Sequence, residues 1–85
     1  NRPAIEGVIE RAGAYLGISG GFDGFRARVM DLRATLSIPA NLTALGVEPA
    51  RLDELTEMAL EDPSCGGNPV EMTRENTRAL YQACM

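Results

Sequence analysis

The sequence lacks two residues that often carry catalytic chemistry. It has no histidine, and all eight of its basic residues are arginines, so lysine is absent as well. Without histidine there is no Ser-His or Cys-His pair to activate a nucleophile, and no histidine ligand for zinc or iron. Without lysine there is neither a Schiff base nor a Walker-type phosphate lysine. We therefore predict no catalytic, metal-binding or cofactor-binding residue in this chain.

Cysteine is scarce too. The two thiols, Cys65 and Cys84, are too few for a structural zinc site, which takes four ligands. A disulfide between them is an alternative, but an acidic chain without a recognisable signal peptide favours two buried or idle free thiols.

Charge and hydropathy exclude two classes of partner. The net charge is −4, and the arginines are spread along the chain rather than gathered in the basic stripe that supplies nucleic-acid affinity. No run of about 18 apolar residues is present to span a bilayer. We expect a soluble, cytoplasmic protein with no nucleic-acid and no membrane partner.

The chain is also short and poor in large aromatic residues. Its 85 residues include no Trp, two Phe and two Tyr, against nine Gly. A chain of this size buries only about 60% of its unfolded surface, so its own core is marginal. We predict a single all-helical subdomain over residues 1–85. Because a helical pattern begins almost at Asn1 and no initiating Met is present, we expect this subdomain to be a piece of a longer protein.

The spacing of apolar residues predicts an all-α fold of about five helices and no strand. The first covers residues 4–16, and the second, which carries both phenylalanines, runs from about Phe22 to the LSIP stretch. A short third helix ends at Gly46, a fourth begins at Pro49, and the last is capped by Thr73. On the fourth helix Leu52, Leu55 and Ala59 are expected to face inward. The side chains expected to lie on one face of the last helix are Thr77, Leu80, Tyr81 and Cys84.

A glycine-rich stretch, GISGGFDG at residues 17–24, precedes the second helix. A dinucleotide fingerprint must follow a strand, and a Walker loop must end in Gly-Lys-Ser/Thr. Here a helix precedes the stretch, so a loop or hinge is the favoured interpretation.

A row of carboxylates recurs along the fourth predicted helix. Hard cations prefer convergent loop oxygens to a straight row on one helical face, so we interpret the row as a solvated surface. The surrounding LDELTEMAL stretch is also similar to acyl carrier proteins, but the Asp-Ser-Leu that accepts their prosthetic arm is missing. The carboxylates are Asp53, Glu54, Glu57 and Glu61.

The order of motifs in the second half of the chain resembles the C-terminal end of the iron-containing alcohol dehydrogenase family. That end typically has Leu-x-x-x-Leu-x-Ile-Pro-x-x-Leu-x-x-x-Gly-Val, an Ala-rich helix, an Asp-x-x-x-x-x-Asn-Pro corner and a Thr-capped last helix. The resemblance covers at least residues 32–85, and NRPAIEGVIERAGAYLG at the start fits it as well, whereas GISGGFDGF does not align with a family feature. The matching positions here are Leu32, Leu36, Ile38, Pro39, Leu42, Gly46, Val47, Asp62, Asn68, Pro69 and Thr73.

The resemblance implies a fold and a role. It makes the chain the C-terminal portion of a dehydroquinate synthase-like helical domain, packed on the upstream part of its own polypeptide and open to homo-oligomer formation. The parent would use Fe²⁺ or Zn²⁺, held by an Asp and three His, to move a hydride between an alcohol or aldehyde and NAD(P). None of those ligands is in this chain, so the resemblance implies a scaffold that is inactive alone. The alternative is an independent helical module for protein interaction or self-association.

The corner DPSCGGNPVEMT, residues 62–73, holds more punctuation than a plain helix-to-helix turn needs. Its two glycines let another backbone or ligand approach, and Asn68 before Pro69 is expected to be extended. A stiff turn alone is one interpretation. The other, implied by the resemblance, is that the corner lines the substrate cleft. The candidate lining residues are Ser64, Cys65, Gly66, Gly67 and Asn68.

Overall fold

Four α-helices and three 3₁₀ turns make up the chain. The structure, a computed structural model, describes residues 1–85 and contains no strand, which confirms the all-α prediction. The α-helices are α1 (Arg2–Tyr15), α2 (Gly21–Thr35), α3 (Leu52–Glu61) and α4 (Arg74–Ala83). The 3₁₀ turns cover Thr43–Leu45, Pro49–Arg51 and Pro63–Gly67.

The predicted count of about five helices is one too high. The expected third helix is only the 3₁₀ turn Thr43–Leu45. Gly46 follows it with φ of +84°, a left-handed conformation that ends the turn, and the Asn41 side chain accepts from the Ala44 amide at 2.8 Å at its start. Pro39 and Gly46 therefore leave too few residues between them for an α-helix.

The chain groups into two compact units, residues 1–38 and residues 39–85. Unit 1 contains α1 and α2. Unit 2 contains α3, α4 and the three 3₁₀ turns. The prediction of one helical subdomain over residues 1–85 stays a prediction.

The glycine-rich stretch in unit 1 is the corner between α1 and α2. Gly17 has φ of +75°, and the Ile18 amide donates to the Gly13 carbonyl at 2.8 Å, which ends α1 in a Schellman motif. A β-carbon on Gly24 would lie 1.9 Å from the Ser19 carbonyl oxygen, so only glycine fits there. Residues 17–20 form a loop, as predicted, whereas residues 21–24 are already helical, because α2 begins at Gly21.

The contacts that hold α1 on α2 lie near the start of α2. The Phe25 ring lies against Gly13, the one buried residue of α1. Arg2 pairs with Asp23 at 3.0 Å, and its guanidinium lies 4.5 Å from the centre of the Phe22 ring. The C-terminal half of α2 has no comparable cover.

Unit 2 packs α3 against α4 around three buried side chains, Leu52, Thr56 and Thr77. The Thr56 hydroxyl donates to the Leu52 carbonyl at 2.7 Å, which satisfies the buried polar atom. At the end of α4 the Leu42 amide donates to the Cys84 carbonyl at 2.7 Å. The segment before α3 is thereby tied to the last residues of the chain.

The acidic row on α3 is more structured than a solvated face. Asp53 accepts from Arg78 of α4 at 2.7 Å, and Glu57 pairs with Arg74 of the same helix. Glu54 pairs with Arg51 at 3.1 Å, and this hydrogen bond holds the pKa of Glu54 below its usual value. Two of these pairs join α3 to α4, so the row contributes to helix pairing while most of it stays exposed.

Neither unit has a large apolar core. Leu52 is the only hydrophobic residue that is buried, whereas eleven large hydrophobic side chains are at least 37% exposed. Seven of these exposed side chains belong to unit 1 and four to unit 2.

Candidate functional site

The corner at residues 62–73 begins with a capped 3₁₀ turn. Asp62 is extended, with ψ of 125°, and its side chain accepts from the Ser64 amide at 2.8 Å. The Ser64 hydroxyl donates to the same carboxylate oxygen. These bonds, from the hydroxyl first and the amide second, lower the pKa of the Asp62 carboxyl, since both stabilise its charged form. Pro63 fits the first position of the turn because its missing N–H has no partner there in any case.

The corner then leaves the turn in an extended conformation at Asn68. Its φ of −69° and ψ of 137° confirm the geometry expected for a residue that precedes proline. The Asn68 side-chain amide donates to the Val70 carbonyl at 2.6 Å across Pro69. This hydrogen bond adds a second restraint to the one that Pro69 supplies.

The corner ends in a capping box at the start of α4. The Thr73 hydroxyl accepts from the Asn76 amide at 3.2 Å, and the Asn76 side chain accepts from the Thr73 amide at 2.8 Å. The Asn76 side chain also donates to the Glu71 carbonyl at 2.8 Å. Thr73 thus caps the last helix as predicted, and Glu75 lies in the first turn, where the helix dipole favours a carboxylate.

Neither the backbone conformation nor the packing of this chain requires glycine at positions 66 and 67. Neither has a positive φ, unlike Gly17, Gly20, Gly21 and Gly46. A β-carbon built on either would meet no atom within 4 Å. The close approach that these glycines permit is therefore made by no part of this chain.

A hollow of about 520 Å³ opens beside the corner. Of the five predicted lining residues, Cys65 and Gly66 line it, whereas Ser64, Gly67 and Asn68 do not. Cys65 is half-buried and is a free thiol, as is the exposed Cys84. The prediction favoured buried or idle thiols; neither thiol is buried, and that they are idle stays a prediction.

Sequence reasoning missed the other side of this hollow. Glu61 and Asp62 border it before the turn, and Glu71 and Met72 border it after Pro69. The sequence signal that could have revealed these residues was the corner itself. A sharp turn brings the residues that precede it close to the residues that follow it. The three carboxylates make the rim acidic, which is unfavourable for a phosphate group.

A second concavity lies on the face of α4 that Thr77, Leu80, Tyr81 and Cys84 were predicted to share. It has a volume of about 280 Å³ and an almost entirely apolar lining. All four side chains expected on one face of α4 contribute to it, so that part of the sequence pattern is confirmed. The lining residues are Leu42, Ala59, Met72, Thr77, Leu80, Tyr81 and Cys84.

No site for a metal ion is evident, because no three His, Cys, Asp or Glu side chains come together in an arrangement that would hold one. None of the helices combines the length and the apolar character needed to cross a bilayer. Comparison with family models, curated proteins and solved structures returned no match. The resemblance to the alcohol dehydrogenases thus stays a hypothesis drawn from the sequence motifs.

Proposed function

We propose that the chain is a helical scaffold segment of a metal-dependent NAD(P) alcohol dehydrogenase. The parent protein would transfer a hydride between a small alcohol or aldehyde and the nicotinamide, in the cytoplasm, and this segment would be inactive alone. The proposal rests first on the ordered motifs between Leu32 and Thr73, which run in the sequence typical of the family's C-terminal end.

The structural observation that carries the scaffold part of the proposal is the exposed apolar surface. Eleven large hydrophobic side chains are exposed against one that is buried. A free-standing domain of this size would cover most of such side chains, because burial is its main source of stability. The upstream part of the same polypeptide is the cover that the dehydrogenase proposal supplies.

The residues of this chain do not fit the metal or the nicotinamide cofactor of the proposed parent. Three of the four carboxylates on α3 pair with arginines, and the rim of the corner is acidic. Both groups would therefore be held by residues outside this segment.

Within the proposal, the corner at residues 62–73 contributes to the wall of the substrate cleft. Gly66 and Gly67 support this role, since they leave open a backbone surface that nothing in this chain approaches. The hollow lined by Cys65 and Gly66 gives a small alcohol or aldehyde a concave surface beside that backbone. Ser64 contributes by fixing the turn through its two hydrogen bonds to Asp62.

The experiment that tests the proposal is determination of the complete reading frame that encodes this segment. The proposal predicts an Asp-x-x-x-His motif and two later histidines upstream of residue 1 in the same frame. A frame that opens immediately before Asn1 would contradict it and would favour the alternative, an independent interaction module. The apolar concavity on α4 is the feature that such a module would use.

A further inference from the structure

The C-terminal half of α2 carries an uncovered apolar ridge. Val29, Leu32 and Leu36 follow one another by three and four residues, which places them on one side of the helix. Their exposed fractions are 50%, 57% and 61%. The same spacing begins with Phe22 and Phe25 at the N-terminal end of α2. That end of α2 is covered by α1. The ridge is therefore one half of a longer seam, and this half lacks a neighbour.

The charged residues at the e and g positions beside the ridge are all arginines. With Val29 and Leu32 at the a and d positions of a heptad, Arg28 falls at g, and Arg26 and Arg33 fall at e. These positions flank the apolar seam and face the corresponding positions of a partner helix. None of these three arginines forms an ion pair, whereas the partnered arginines are Arg2, Arg51, Arg74 and Arg78.

The unpaired arginines stand out in an acidic chain. Unit 1 has five arginines and four carboxylates, while unit 2 has three arginines and eight carboxylates. The net charge of the chain is −4, so the basic border of the ridge is a local feature and does not follow from the overall composition. A concave surface of about 340 Å³ lies along the Arg28 side of the ridge, beside Leu32 and Thr35, and Asp31, at the c position of the heptad, is the one carboxylate that lines it.

We propose that the Val29–Leu36 ridge docks an amphipathic helix whose own apolar ridge is bordered by Asp or Glu. The apolar side chains of the two helices would interdigitate, and carboxylates on the partner would receive the guanidinium groups of Arg28 and Arg33, often in bidentate pairs. This inference goes beyond the proposed function, because it holds whether or not the parent protein is a dehydrogenase.

A second copy of this chain is a poor occupant of the ridge. In a parallel pair of α2 helices Arg28 of one copy would face Arg33 of the other, and in an antiparallel pair like positions would meet, Arg28 with Arg28 and Arg33 with Arg33. Both arrangements bring like charges together. An anionic membrane is also disfavoured, because the ridge is narrow, lacks Trp and belongs to a chain of net charge −4.

The test uses the 85-residue chain and two synthetic helical peptides of about three heptads. Both peptides carry Leu at a and d, and one has Glu at e and g where the other has Lys. Fluorescence anisotropy of the labelled peptides gives the affinities. We expect the Glu peptide to bind at least about tenfold more tightly than the Lys peptide, with a preference that shrinks as salt increases.

Variants of the chain assign the preference to the ridge. Arg28→Glu combined with Arg33→Glu is expected to reverse it, and Arg28→Gln combined with Arg33→Gln to remove it. Arg11→Glu is the control for charge reversal away from the ridge, since Arg11 is an exposed arginine on α1 that forms no ion pair, and it makes half the charge change of the double variant. Leu32→Asp is expected to abolish binding of both peptides, with far-UV circular dichroism checking that each variant keeps its helices.

Three results would overturn the inference. The first is equal affinity for the two peptides, or a preference that the Arg28 and Arg33 variants leave unchanged. The second is a dimer of the chain, seen by light scattering, that Leu32→Asp dissociates, because a second copy would then occupy the ridge. The third is binding to phosphatidylserine-containing vesicles that Leu32→Asp abolishes.

Discussion

Replacing Gly66 with alanine distinguishes a corner that is only a turn from one that something else approaches. A β-carbon at this position meets no atom within 4 Å, and the backbone φ is not positive. Alanine therefore fits the folded chain without strain and restricts the unfolded chain. We expect Gly66→Ala to raise the free energy of unfolding by about 0.4 to 1 kcal/mol. For a domain of this size that corresponds to a rise in melting temperature of several degrees.

Thermal denaturation of the 85-residue chain, followed by far-UV circular dichroism, measures this effect. Gly24→Ala is the matched control, because its β-carbon would lie 1.9 Å from the Ser19 carbonyl oxygen. The steric clash in Gly24→Ala should lower the free energy of unfolding by about 1 to 3 kcal/mol. If Gly66→Ala loses as much stability as Gly24→Ala, the folded chain has no room for a β-carbon at position 66, and the reasoning is refuted.

The same substitution then reports on the cleft in the complete protein. If a substrate approaches the open backbone at Gly66, the added methyl group raises the apparent KM for the alcohol while the fold is as stable as before or more so. Cofactor affinity should be unchanged. An unaltered substrate profile in both Gly66→Ala and Gly67→Ala would show that the corner is a turn without contact to substrate.

Three further substitutions test the local structure. Ser37 follows α2 with φ of +57°, a strained conformation for a residue other than glycine, so Ser37→Gly should raise the free energy of unfolding by about 0.5 to 1 kcal/mol, and an unchanged urea midpoint would contradict this. Thr73→Ala removes one side of the capping box at α4 and should cost about 1 kcal/mol in the same urea experiment, with Thr35→Ala as a control at a helix end that has no such box. Hydrogen bonds from Ser64 lower the pKa of Asp62 in the folded chain. The charged Asp62 carboxylate therefore stabilises the fold fully above its unfolded-state pKa of about 4, and this stabilisation is lost as the pH falls through the lower folded-state pKa. Asp62→Asn should therefore flatten the acid side of the stability profile, and an identical profile for the two proteins would count against this assignment.

The helices were predictable where local spacing and terminal residues agree. Gly17 at the end of α1 and Thr73 at the start of α4 are used as their residue types suggest. The prediction of a short third helix was wrong. The apolar pattern between Pro39 and Gly46 is typical of a helix, but the segment is too short for a set of α-helical hydrogen bonds and forms a 3₁₀ turn. Ser37 in a left-handed conformation was also beyond prediction, since glycine or asparagine is the usual choice at that position.

The local backbone geometry of the candidate site was predictable from the sequence, but its contacts between residues distant in the sequence were not. The extended Asn68 follows from Pro69, and the capped start of the turn follows from the Asp-Pro-Ser order. Glu61, Glu71 and Met72 reach the same hollow through the return of the chain, which depends on tertiary packing. The pairing of Asp53 with Arg78 depends on the same packing and turned an expected solvated row into contacts between α3 and α4.

The most direct test of the dehydrogenase proposal is a joint assay of the complete protein for metal content and alcohol-dependent reduction of NAD or NADP. The proposal predicts about one ion of iron or zinc per chain, nicotinamide reduction with at least one short-chain alcohol, and loss of both metal and activity after chelation. The 85-residue chain alone should show neither. A complete protein that binds no metal and reduces neither cofactor with any alcohol of a broad panel would contradict the proposal.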